Sequence, residues 1–210
     1  MVDQGALIVS HLQQRIGEGS GLPQTVIYTL WVAWIASWLL GAQHSSPAVK
    51  KPAPSREMRH RVVTMLGAVG LIASQSARFN PQIVKAGEHA WLAWLLVGLA
   101  ILGFAFTWWA RVHLGRLWSS TVTRKADHHV VNTGPYAIVR HPIYTGILIA
   151  MLATALLRGT GAALVGVALL ILGFYLKARL EESFLRGELG EDAYGAYARR
   201  VPMLIPFAPA

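Results

Sequence analysis

From Ala90 to Ala110 the chain runs 21 residues without a charged side chain. At 1.5 Å per residue a helix of that length covers about 31 Å, enough to cross a hydrocarbon core of about 30 Å. Four further apolar stretches accompany it. Thr25 to Ala42 is uncharged and carries Trp31, Trp34 and Trp38, whereas Val62 to Ala77 is interrupted by Gln75. Tyr144 to Leu157 is a run of 14 residues, separated by Arg158-Gly159 from Thr160 to Leu176, so these two form a tight helical hairpin. The expected fold is therefore all-α: a polytopic membrane bundle of about five transmembrane helices, ending in an amphipathic helix. At the N-terminus, Leu7, Ile8, Leu12 and Ile16 suit an interfacial helix, and no signal-peptide pattern is present.

Composition agrees with this reading, since 54% of the 210 residues are hydrophobic and 14% are charged. A soluble domain of this size needs more charge to solvate its surface. There is no cysteine, which excludes disulfides, thiolate nucleophiles and cysteine metal sites. The net charge of +9 is spread between the apolar spans and not gathered in one patch, which points to anionic lipid headgroups as neighbours and away from nucleic acid.

The basic residues also orient the chain. Of 19 lysines and arginines, 15 follow the first, third and fifth spans, and only Arg15, Arg78, Lys85 and Arg158 fall in the alternating segments. The positive-inside rule then puts the N-terminus outside and the C-terminus in the cytoplasm, as in a bacterial inner-membrane protein. Two polar blocks share that cytoplasmic face.

The first block runs from His128 to Gly146 and is punctuated by Gly134-Pro135 and Pro142. Pro142 suits the first position of a helix, where its missing N–H is harmless and its φ is already helical. The helix N-terminus, with Arg140 beside it, presents free N–H groups and positive dipole that bind a carboxylate or phosphate. Arg140 serves equally as a membrane anchor, and Tyr136 and Tyr144 either stack on a ligand or sit in an interfacial belt. His128, His129 and His141 do not make a metal site, since adjacent histidines do not readily face one ion and no HExxH follows.

The second block is Lys177-Ala-Arg179-Leu-Glu181-Glu182, at the cytoplasmic end of the fifth helix. Spacing pairs Lys177 with Glu181 and Glu182 with Arg186, the pattern of ordinary surface ion pairs. Adjacent carboxylates point about 100° apart on a helix of 3.6 residues per turn, so one enters a pocket while its neighbour is tied to Arg186. Beyond it, Glu191-Asp192 and Arg199-Arg200 bracket a short helix carrying Tyr194 and Tyr197, a lid or packing element that Pro202 ends.

Taken in order, Leu114-Gly115-Arg116-Leu117-Trp118-Ser119, His128-His129-Val130-Val131, Gly134-Pro135-Tyr136, Arg140-His141-Pro142-Ile143-Tyr144-Thr145-Gly146, and Glu181-Glu182 with Leu185, Gly190, Tyr194, Tyr197 and Val201-Pro202 resemble the isoprenylcysteine carboxyl methyltransferase family. The resemblance covers residues 100 to 207. It implies an enzyme that uses S-adenosylmethionine, enclosed by the cytoplasmic ends of the last two spans and the C-terminal tail, and a lipophilic substrate taken from the bilayer. Carried over by position, the cofactor contacts are His128, His129, Val130, Val131, Tyr136, His141, Pro142, Ile143, Tyr144, Glu181 and Glu182. Residues 90–210 form the methyltransferase core, and 1–89 an N-terminal part with two spans and the interfacial helix. No strand followed by GxGxxG occurs, so the common dinucleotide-type fold is absent.

One position departs from the pattern. Where the prenylcysteine enzymes have an arginine four residues before the glutamate, associated with the substrate carboxylate, this chain has Lys177, a point charge in place of a bidentate fork. Arg140, Lys177, Arg179 and Arg111 are the cations available to orient an anionic acceptor. The acceptor stays open between an acid, a thiol, an amine and a phospholipid headgroup. A phospholipid N-methyltransferase, a nicotinamide-dependent membrane reductase and a non-catalytic scaffold are the competing readings.

Overall fold

The computed structural model describes residues 21–42, 54–72, 82–115, 118 and 130–209. Five long helices account for most of them: α1 (Leu22–Ala42), α2 (Pro54–Ile72), α3 (Ala90–Leu114), α4 (Pro142–Arg158) and α5 (Gly161–Leu189). A short π-helical turn, Glu191–Gly195, and a final turn, α6 (Ala196–Ala198), follow. No strand occurs among the described residues, which leaves an all-helical bundle. The stretch expected to form an interfacial helix, Leu7 to Ile16, lies outside the described residues.

Among the described residues three helices are long and apolar enough to cross a membrane: Leu22–Gly41, Ala90–Leu114 and Gly161–Glu188. The fourth expected span is apolar but shorter, Pro142–Arg158. The second corrects the expectation. α2 starts eight residues before Val62 and takes in Arg56, Glu57, Arg59, His60 and Arg61, so as described it is not among the helices that meet the length and polarity of a span. The expected end of that span, Ala73 to Ala77, lies outside the described residues. Large apolar side chains such as Val32, Leu39, Met65, Ile72, Trp91, Leu102 and Val165 face outward, as a lipid-facing surface requires.

Helix association where lipid is the alternative neighbour depends on close backbone approach and on partners for polar groups. Gly103 on α3 and Gly146 on α4 meet backbone to backbone: a Cβ on Gly103 would lie 2.6 Å from the Gly146 carbonyl oxygen. On the other side α2 runs antiparallel to α5, with Gly70 against Gly166, Gly67 against Gly166 and Leu170, and Thr64 against Gly173. The tryptophans of α1 bind α3 and α4 through their indole N–H groups. Trp31 Nε1 donates to Thr154 Oγ1 at 3.0 Å and Trp34 Nε1 to Thr107 Oγ1 at 2.8 Å, while both rings pack on Phe104.

The α4–α5 hairpin closes as expected from Arg158-Gly159. Gly159 caps α4 at φ 65°, a conformation that favours glycine, and its carbonyl accepts from Ile83 N at 2.7 Å and Val84 N at 2.9 Å. Thr160 then caps α5 by accepting from Ala163 N at 3.4 Å. With this end of the bundle sealed, the start of α4, the second half of α5, the start of α2 and the end of α3 share the opposite end.

Candidate functional site

The geometry at that end is set by two residues ahead of α4. His141 is the N-cap and Pro142 the first helical residue, as the sequence leads one to expect. The backbone N–H of Arg140 donates to Pro202 O at 2.8 Å, that of His141 to Met203 O at 3.1 Å, and Thr145 Oγ1 donates to Leu204 O at 2.6 Å. The C-terminal tail is thereby strapped across the helix start. Ile143 and Tyr144, in the first turn, have amides with no acceptor inside the helix.

Arg140 is buried, and its donors are engaged inside the protein. Nε donates to Glu182 Oε1 at 2.7 Å and Nη2 to Glu182 Oε2 at 3.2 Å, while Nη1 donates to the carbonyls of Ala198, at 2.7 Å, and Val201. It joins α4, α5 and the tail in one clasp. Glu182 is thus held by Arg140, whereas Arg186 turns to Glu191 at 3.3 Å. This corrects the expected Glu182–Arg186 pairing, because a fully buried carboxylate takes the bidentate partner that tertiary packing brings to it.

Glu181 faces a different set. Tyr144 Oη donates to Glu181 Oε1 at 2.6 Å, and His141 Nδ1 lies 3.5 Å from Glu181 Oε2 while its Nε2 lies 3.2 Å from Glu182 Oε1. The imidazole stacks on Tyr144, ring centroids 5.3 Å apart and nearly parallel, and Lys177 Nζ sits 5.0 Å from the centroid of the Tyr144 ring. Burial works against a charge on His141, but hydrogen bonding and attraction to Glu181 and Glu182 outweigh it and raise the pKa above the ordinary histidine range. With a carboxylate at each nitrogen, the doubly protonated ring is the form that satisfies both. The Glu181 side chain keeps 17% exposure against 7% for Glu182, so it is the more open of the two carboxylates.

A tyrosine wall closes the other side. Tyr197 Oη donates to the Tyr136 carbonyl at 2.6 Å, and Tyr194, Tyr197, Ala198 and Val201 form a small core with Val130 and Leu185. Tyr136 stacks on His113, which in turn binds Thr133 Oγ1 at 2.8 Å. Burial pushes the phenols of Tyr136, Tyr194 and Tyr197 well above their ordinary range, so they act as neutral donors.

Of the residues singled out in the sequence, Arg140, His141, Pro142, Tyr144, Lys177, Glu181 and Glu182 converge. Val130 and Tyr136 flank them, and Val131 and Ile143 are half-buried nearby in sequence. Arg179 is exposed on α5. Arg111 lies apart from the Tyr144 cluster's contacts, clamped 3.5 Å from the Trp118 ring centroid and 4.8 Å from that of Trp38, with Nη1 buried and unpartnered. His128 and His129 lie outside the described residues. Two buried groups on α2 were missed, Glu57, 6% exposed and paired with Arg61, and His60. His60 on α2 is 7% exposed, and the charges of Lys177 and Glu181 act on it. Its only sequence signal was a histidine inside a basic run, which reads as surface.

Residues 96–186 match the sequence profile of the isoprenylcysteine carboxyl methyltransferase family. The chain is 30% identical over 123 residues to protein-S-isoprenylcysteine O-methyltransferase B of Arabidopsis thaliana, covering 57% of this chain and 62% of that one. It is 34% identical over 116 residues to protein-S-isoprenylcysteine O-methyltransferase of Schizosaccharomyces pombe, covering 54% and 49%. A cobalt-zinc-cadmium resistance protein of Cupriavidus metallidurans is 32% identical over 127 residues, covering 57% and 53%. The chain thus spans between about half and three fifths of these relatives' length.

Proposed function

We propose that this chain, which belongs over residues 96–186 to the isoprenylcysteine carboxyl methyltransferase family, is a membrane methyltransferase that moves a methyl group from S-adenosylmethionine to a lipophilic acceptor drawn from the bilayer. The observation that carries the reading is the Tyr144–Glu181 hydrogen bond, with His141 stacked on the same ring at the start of α4. The free amides of the α4 N-terminus suit the donor's carboxylate, the open side of Glu181 suits its ammonium or ribose hydroxyls, and the Tyr144 face suits a cationic sulfonium. When bound, S-adenosylmethionine supplies an electrophilic methyl group on a sulfonium.

The protein's own part is to bind, orient and exclude water. Arg140 and Glu182 hold the tail over the pocket, and burial behind Tyr194 and Tyr197 keeps the reacting atoms dry. A carboxylate or thiolate acceptor arrives without a proton and needs no general base; Lys177, at the Tyr144 ring, is the cation best set to orient it. The charge distribution supports a pocket on the cytoplasmic face, with the N-terminus outside. Residues 90–210 form the catalytic core in this reading, with 1–89 as an N-terminal addition.

Calorimetry with S-adenosylmethionine on detergent-solubilised protein tests the assignment. Affinity falls at least tenfold in His141→Ala and Glu181→Ala. Unchanged affinity in both variants removes the pocket from this position.

A further inference from the structure

The methyl donor's side of the pocket is built by α4, α5 and the tail, all in or after the family-matched segment. α2 is outside that segment, and it brings a group of its own. The antiparallel register along α5 reads Gly70 to Gly166, Gly67 to Leu170 and Thr64 to Gly173. One turn further, His60 stands level with Lys177, whose ammonium lies at the Tyr144 ring. Thr64 Oγ1 donates to the His60 carbonyl at 2.7 Å, which holds this turn in place.

The ring of His60 is buried, and its Nε2 has no hydrogen-bond partner. Such an atom in a water-poor setting marks a place where something else is meant to bind. The charges of Lys177 and Glu181 on α5 act on it, as do those of Glu57 and Arg61 on α2, which are paired with each other. We infer that His60 takes the proton from a protic acceptor, a thiol, phenol or amine, as the methyl group is transferred. This rests on the methyltransferase reading and narrows its acceptor class.

The step balances. The acceptor heteroatom forms its bond to the methyl carbon, the sulfonium S–C bond breaks and leaves a neutral thioether, and the acceptor's proton passes to His60 Nε2. The positive charge moves from sulfonium to imidazolium, which the charges of Glu57 and Glu181 favour. Burial foremost, with Lys177 and Arg61 adding to it against Glu57 and Glu181, lowers the pKa of His60 below the ordinary histidine value, so the ring is neutral and ready to accept at neutral pH.

The test uses the full chain in detergent with S-adenosylmethionine and four probes of equal alkyl length: a thiol, a phenol, an amine and a carboxylic acid. His60→Gln lowers kcat/KM for the best protic probe about 100-fold and abolishes the acid limb of its pH profile, while donor affinity by calorimetry stays within twofold of wild type. Nitrogen NMR of 15N-histidine protein, with His60→Gln assigning the signal, finds the His60 ring neutral at pH 7. Transfer to the acid alone, a loss below threefold, a loss equal at every pH, or a ring protonated at pH 7 each overturns the base role. Absence of donor binding in the wild type instead overturns the methyltransferase reading itself.

Discussion

Arg140 grips Glu182 through two guanidinium–carboxylate bonds, 2.7 Å and 3.2 Å long, where the start of α4, the second half of α5 and the C-terminal tail meet. The same guanidinium satisfies the carbonyls of Ala198 and Val201, so this side chain joins the backbone bonds of Arg140 and His141 and the Thr145 hydroxyl in holding the tail beside the His141–Tyr144–Glu181 cluster. That relationship separates the two adjacent glutamates into a structural one and an open one.

Arg140→Ala leaves Glu182 as a buried carboxylate without its partner, which costs about 3–5 kcal/mol. Arg140→Lys recovers only part of this, because an ammonium does not reproduce the fork. Thermal unfolding in detergent measures both, and limited proteolysis shows the tail beyond Ala198 becoming cleavable in the alanine variant. Wild-type stability in Arg140→Ala rules out the clasp.

Tyr144→Phe keeps the stacking on His141 but removes the bond to Glu181. A hydrogen bond to a charged group contributes about 1.5–3 kcal/mol, so S-adenosylmethionine affinity drops by roughly tenfold to a hundredfold when that bond preorganises the carboxylate. Calorimetry reads the change; equal affinity in the two proteins separates Tyr144 from the pocket.

The pKa of His141 is raised in the folded protein, since the two glutamates overcome the effect of burial. Its contribution to stability is complete below the unfolded value of about 6.5 and is lost as pH rises through the higher folded value. The melting temperature of wild type therefore declines across that alkaline-side window relative to His141→Gln. Parallel profiles for the two proteins contradict the prediction.

Arg111 is buried between Trp38 and Trp118 with Nη1 unpartnered. A buried guanidinium with no carboxylate partner among the described residues is expensive, so Arg111→Met leaves the melting temperature unchanged or raises it. A fall of several degrees in lipid-free detergent shows instead that the cation–π clamp outweighs desolvation.

Gly159 occupies φ 65° against the carbonyl of Val84, with no room for a side chain. Gly159→Val combines left-handed strain with a backbone clash and costs at least 1–3 kcal/mol. Refolding yield and thermal unfolding check it.

Helix α4 was legible from Pro142, and its hairpin partner from Arg158-Gly159, because caps and turns are local: a proline's ring and a glycine's missing Cβ act within a turn of chain. The ordered motifs from Gly134 to Glu182 contain residues that side-chain contacts bring together at the start of α4, Arg140 with Glu182 and Tyr144 with Glu181. The second span was placed too late, because the charged start of α2 resembles a loop until α5 is there to cover Glu57 and His60.

Sequence alone determined the helical class, the first, third and fifth apolar spans and the capped start of α4, since hydrophobicity and backbone preference are properties of neighbouring residues. Tertiary structure alone decided which glutamate Arg140 takes, that Arg186 goes to Glu191, and that His60 comes level with Lys177. Each is a competition among charges brought together from distant parts of the chain, settled by burial and geometry that no local spacing encodes.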